Sequence, residues 1–261
     1  MPKPSQPPLL KPGELPGDVR PKHYDVTIAL KGTRLAYEAL KVTGRAKASL
    51  EVLKATSKLI LKSKASTINL VGISVMEVSA VSGEELRTVN ITTLHTSDPL
   101  LIAALESPLQ AGKSYTLVTE YDYDKREESG PIFLSAEVAK MDLKKGEAHA
   151  AFPCFEKTGW NVPVALTLQI PKGLVPVANA PLDGQPKETG GGITINFKDT
   201  LAMPPDMLAW VVFPASLKWN NVIPGNGGAL TLLADEGFVI RHHDQHTVER
   251  SWFQLVGSLA V

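Results

Sequence analysis

The sequence predicts an all-β protein, an antiparallel β-sandwich or saddle, on three observations. Tyr24, Val26, Ile28 and Leu30 alternate with polar or small residues, the period of a strand with one buried face. Runs such as Lys58-Leu59-Ile60-Leu61-Lys62 and Ile68-Asn69-Leu70-Val71-Gly72-Ile73 are aliphatic or β-branched and too short for helices. Strand-like runs then recur at regular spacing with turn signals between them, as in two-layer β proteins.

Residues 1–17 are rich in Pro, Lys and Gly without periodicity, and are expected to form an extended arm. Residues 18–261 are expected to form one domain. After the first strand, further strands are expected over Val42–Leu53, Ser57–Ser63, Thr67–Val78, Glu85–Leu94 and Leu100–Leu105. Gly112 precedes a strand through Ser114–Leu117, at a loop position that favours the positive φ glycine adopts cheaply. Val164–Ile170 reads as a strand followed by a turn at Gly173, Gly190-Gly191-Gly192 as a hairpin tip, and Ile193–Phe197 as its return strand. Trp210, within Leu208-Ala209-Trp210-Val211-Val212, reads as core. Ala229–Leu233 and Gly237–Arg241 complete the expected strands.

Composition narrows the function classes. Among 261 residues, 27 basic and 27 acidic side chains cancel, so a phosphate-tracking nucleic-acid surface has no electrostatic support. A single cysteine, Cys154, cannot form an internal disulfide or, alone, a thiolate metal site. The Pro-rich start lacks the apolar run of a signal peptide, and no window approaches the roughly 18 apolar residues of a membrane span. The expectation is a soluble, cytoplasmic protein with no membrane partner. Asn90-Ile91-Thr92 fits the glycosylation pattern and is expected to stay bare in that compartment.

One stretch is not generic. Ala150-Ala151-Phe152-Pro153-Cys154-Phe155-Glu156 resembles the "AFPCFDEP" segment closing the N-terminal β-domain of the aminopeptidase N-like (gluzincin) zinc metallopeptidases. Leu15-Pro16-Gly17-Asp18-Val19-Arg20-Pro21-Lys22-His23-Tyr24-Asp25 resembles the "LP..V.P.HYDL" opening of that domain. Pro108-Leu109 through Leu117 is similar to its "PL..G..Y.L" turn, and Met203-Pro204-Pro205 through Val212 to "TPPMSTYLLAFVVG". The resemblance covers about residues 15–215 and implies the β-domain without the catalytic domain. The tidy start suggests a complete domain at that end.

Members of that family hold zinc with a His-Glu-x-x-His helix, a downstream glutamate and a Gly-x-Met-Glu-Asn substrate loop. None of these occurs in the 261 residues, and without two histidines, a carboxylate and a proton-accepting glutamate, zinc hydrolysis has no machinery. No cofactor and no enzymatic activity are expected. His242 and His246 stand four apart, with His243 where the catalytic glutamate belongs; with His243 they are weak metal candidates, and an exposed polar turn is the simpler reading. The resemblance also implies a Gln-x-(Glu/Gln) strand that captures a substrate's amino group. An ungapped count back from Phe152 puts Asp142 and Lys144 there, and a lysine repels an ammonium group. Cys154, between Pro153 and Phe155, reads as a buried hydrophobe and not as a nucleophile.

Trp160-Asn161 and Trp219-Asn220-Asn221 pair aromatic planes with amides, a chemistry suited to stacking on a sugar; packing at loop edges is the simpler alternative. The expected function is non-catalytic binding of a glycan or a protein. The competing expectation is a fragment or accessory subunit of a zinc aminopeptidase whose catalytic domain is on another chain. In the family the β-domain packs one face on the catalytic domain, so homo-oligomerisation through that face is also expected.

Overall fold

Alternation of apolar and polar residues sets the first strand: β1 (Val19–Lys31) buries Tyr24, Val26, Ile28 and Leu30, with Asp25 and Thr27 between them part-exposed. The computed structural model describes residues 14–32, 40–123, 130–134, 138–141, 143–215, 218–222 and 230–234, the last two segments for their backbone only. Leu15, two residues before Gly17, is buried in the main core.

The following strands are β2 (Lys41–Val52), β3 (Thr56–Lys62), β4 (Ile68–Val78), β5 (Glu85–Val89), β6 (Ile91–Ser97), β7 (Leu100–Leu109) and β8 (Ser114–Tyr123). Then come β9 (Ile132–Leu134), β10 (Ala139–Met141), β11 (Val164–Pro171), β12 (Leu174–Ala178), β13 (Lys187–Thr189), β14 (Gly192–Asn196), β15 (Trp210–Pro214), β16 (Lys218–Val222) and β17 (Leu230–Ala234). Two short 3-10 turns, Ala148–Ala150 and Pro205–Met207, are the helical turns among the described residues. No helix there is long and apolar enough to cross a membrane.

An eight-stranded sheet has the order β13-β14-β11-β1-β2-β8-β4-β5. A four-stranded sheet runs β12-β15-β10-β9, a three-stranded one β3-β7-β6, and β16 pairs with β17. The pairings are antiparallel except that β1 and β11 run parallel, Tyr24 opposite Val164 and Ile28 opposite Leu168. The expected Glu85–Leu94 strand is two: β5 ends at Val89 on the eight-stranded sheet, and the chain passes through Asn90 into β6 on the three-stranded sheet. One main core collects inner-face residues of these sheets, among them Leu59, Leu61, Leu101, Ala103, Leu117, Leu166, Leu168, Trp210 and Val212.

Glycines act where side chains cannot. Gly44 on β2 lies beneath the ring of Tyr121, where a Cβ would come within 2.1 Å of a ring carbon. Gly112 takes φ +79° ahead of β8. Gly190 and Gly191, at φ +30° and +116°, form the tip between β13 and β14, the hairpin the glycine triplet predicts.

Candidate functional site

The Ala150–Lys157 stretch is held by hydrogen bonds from three directions. Thr67 Oγ1 donates to the Ala150 carbonyl at 2.8 Å, and the Tyr123 hydroxyl donates to that of Ala151. The Phe155 amide donates to the Tyr24 hydroxyl at 2.8 Å, while the Tyr24 and Phe152 rings meet edge to face with centroids 5.8 Å apart. Lys62 and Cys154 exchange backbone hydrogen bonds of 2.9 and 3.0 Å, which fasten the stretch to β3. Burial pushes the Cys154 thiol well above its ordinary value, as it does the Tyr24 hydroxyl.

Beside the stretch lies a polar cluster. One Glu156 oxygen accepts from the Ala148 amide at 2.8 Å; the other meets His149 Nδ1 at 2.7 Å and Lys62 Nζ at 3.8 Å. Burial raises the Glu156 pKa, but the hydrogen bonds from His149 and the Ala148 amide, with the charges of His149 and Lys62, outweigh it and leave the carboxyl below its usual range. All three side chains are largely buried. Every carboxylate contact is internal, so the cluster ties elements together and offers no open chemistry. Nothing local in the sequence announces it, because Lys62 and Glu156 are distant in the chain.

The four-stranded sheet presents the more distinctive surface. Ala139, Met141, Trp210 and Val212 belong to the main core, with Ile132, Leu134, Leu174 and Ala178 packed against it. Alternate residues point to the other face: Phe133, Lys140, Val175, Val177, Val211 and Phe213, in register across β9, β10, β15 and β12. Val211 and Phe213 are buried, Val175 and Val177 half-buried, and Phe133 is 49% exposed with Lys140 Nζ 5.7 Å from its ring centroid. The second face of β15 is therefore as apolar as the first.

The residues the sequence singles out do not come together. Asp142 lies outside the described residues. Lys144 is not on a strand, as the ungapped count required: β10 ends at Met141, and Lys144 opens an exposed turn whose carbonyl accepts from the Glu147 amide at 2.9 Å, with Gly146 at φ +77°. The turn is anchored by Asp206, whose carboxylate accepts from the Gly146 amide at 2.6 Å. Lys140 is the β10 residue on the outer face. Lys-Gly at 145–146 was the available turn signal.

Trp160 is half-buried against the main core, and its ring already carries Lys157 Nζ 5.4 Å from the centroid; the same ammonium donates to the Leu15 carbonyl at 3.1 Å. Asn161 is exposed. Trp219, Asn220 and Asn221 lie on β16, where Trp219 pairs with Leu233 and Asn220 with Leu232, and their side chains are outside the described residues. His242, His243 and His246 are outside them altogether. Among the described residues no group of three His, Cys, Asp or Glu is placed to hold a metal.

Comparison with known proteins agrees with this architecture. The Peptidase M1 N-terminal domain family matches residues 20–205. A curated relative, Aminopeptidase Ey of Gallus gallus, is 23% identical over 218 residues, covering 79% of this chain and 22% of the relative. The chain thus spans well under a third of that protein's length.

Proposed function

Because the chain belongs to the Peptidase M1 N-terminal domain family, we propose that it is a non-catalytic β-domain that binds a protein. Its partner is the zinc-bearing catalytic domain of an M1-type peptidase. The docking surface is the outer face of the four-stranded sheet. The observation that carries this reading is Phe133 on β9, 49% exposed, with half-buried Val175 and Val177 on β12, on the same face as Val211 and Phe213, which the chain itself already buries. Phe133, Val175 and Val177 lie at the two margins of the sheet, flanking a covered centre, and apolar surface of this kind suits a protein partner better than a polar ligand.

Hydrolysis belongs to the partner in this reading. The 261 residues lack a His-Glu-x-x-His sequence, so the two zinc-holding imidazoles and the glutamate that takes the water's proton must come from the catalytic domain. A protein partner is favoured over a glycan because Lys157 already covers the Trp160 ring.

The test is calorimetric titration of the full chain with an M1-type catalytic domain lacking its own β-domain. Phe133→Asp and Val177→Asp are expected to weaken binding by more than about tenfold. Binding that both variants leave unchanged, or a glycan-array signal in the absence of any affinity for the catalytic domain, overturns the reading.

A further inference from the structure

A sheet edge with free backbone donors and acceptors is a template for another strand, and soluble proteins shield such edges with short strands, charges or proline. Among the described residues, five edge strands are shielded in this way. β13 and β9 are three residues each, and β13 carries Lys187 and Glu188. β12 has Pro176 at its centre, β5 has Glu85 and Arg87, and β3 has Lys58 and Lys62 with the Cys154 bridge across it.

β6 is different. It is a seven-residue edge strand, Ile-Thr-Thr-Leu-His-Thr-Ser, with no proline and no Asp, Glu, Lys or Arg, and six of its residues are exposed. Its β-branched composition favours an extended backbone. Leu94 stands opposite Ala103, itself opposite Leu59. Cross-strand partners share a face, so Leu94 extends the core-facing side of the sheet; Ala103 and Leu59 are buried, whereas Leu94 is 44% exposed. The apolar layer therefore ends uncovered at the β6 edge.

We propose that β6 is a self-association strand: two copies of this chain pair their β6 strands antiparallel about a twofold axis through Leu94, joining their three-stranded sheets edge to edge. The sequence is self-complementary in that register. Leu94 meets its own copy and closes the open apolar rim. Thr93 faces the other copy's position 95, with no like-charged pair, and the bulge between Ile91 and Thr93 ends the regular register on that side. The chain's formal net charge of zero removes long-range repulsion between copies. The interface is isologous and closes after two copies. One short ladder buries less than a permanent dimer does, so the dimer is reversible. The surface is separate from the outer face of the four-stranded sheet, and its test is independent of that reading.

Sedimentation equilibrium of the full chain from about 1 to 200 µM is expected to show a monomer–dimer equilibrium. Leu94→Lys places two ammonium groups on the axis and is expected to leave a monomer throughout, with an unchanged far-ultraviolet spectrum; Phe133→Asp is expected to leave the dimer intact. As a second variant of gentler chemistry, Leu94→Cys is expected to form a covalent dimer with oxidised glutathione, whereas Val81→Cys, on an exposed loop, is not. A wild-type monomer over the whole range overturns the proposal. So does a dimer that survives Leu94→Lys, or a Leu94→Cys chain that stays uncrosslinked where the wild type is dimeric.

Discussion

Lys62 and Cys154 face each other as an isolated antiparallel bridge, each amide donating to the other's carbonyl, at 2.9 Å from Lys62 and 3.0 Å from Cys154. That pair joins β3 to the Ala150–Lys157 stretch, with the Cys154 side chain buried in the main core. Because burial raises the thiol pKa and excludes reagent, Cys154 is expected to resist a thiol-specific reagent in the native state and to react fully on unfolding in guanidinium. Stoichiometric labelling within minutes under native conditions contradicts this placement.

The Glu156 cluster predicts a pH dependence of stability. A carboxyl whose folded pKa is lowered contributes fully above its unfolded value and loses that contribution as pH falls through the folded one. Burial opposes the charge here, and His149, the Ala148 amide and Lys62 overcome it. Glu156→Gln is expected to cost about 1–3 kcal/mol near neutral pH, a few degrees in melting temperature for a chain of this size. The difference from wild type is expected to shrink below about pH 4. Melting curves across that range check both.

Tyr24→Phe removes the acceptor of the Phe155 amide and little volume. The amide is then left buried without a partner, and the expected loss is about 1–3 kcal/mol. Denaturant titration should show a lower midpoint with an unchanged slope.

Gly44→Ala places a methyl carbon 2.1 Å from a carbon of the Tyr121 ring, which is itself fully buried. Overpacking of this kind costs about 1–3 kcal/mol. Combining it with Tyr121→Leu should recover part of the loss, since the clash is with the ring, whereas a backbone effect would persist in the double variant.

Local patterning was enough for the strands whose residues alternate: β1 and β2 bury the side chains their period marks, and Gly112, Gly190 and Gly191 take the positive φ their turns need. The parallel β1–β11 pairing was not legible, because it joins Tyr24 to Val164 and register at that separation is set by tertiary packing. The passage from β5 to β6 was hidden as well: Glu85–Leu94 is one uninterrupted extended run, and only Asn90 marks the change of sheet. At the candidate site, the unbroken apolar run Trp210–Phe213 marked a strand apolar on both faces, whereas the Lys144–Glu147 turn is anchored by Asp206 from far along the chain, a contact that no local pattern shows.

The most direct measurement is a zinc-supplemented aminoacyl-anilide assay on the purified chain, on an M1-type catalytic domain lacking its β-domain, and on the two mixed. The account predicts no chelator-sensitive hydrolysis by the chain alone and a rise in the partner's activity on mixing, a rise that Phe133→Asp abolishes. Chelator-sensitive turnover by the chain alone contradicts it, and would direct attention to His242, His243 and His246 as zinc ligands.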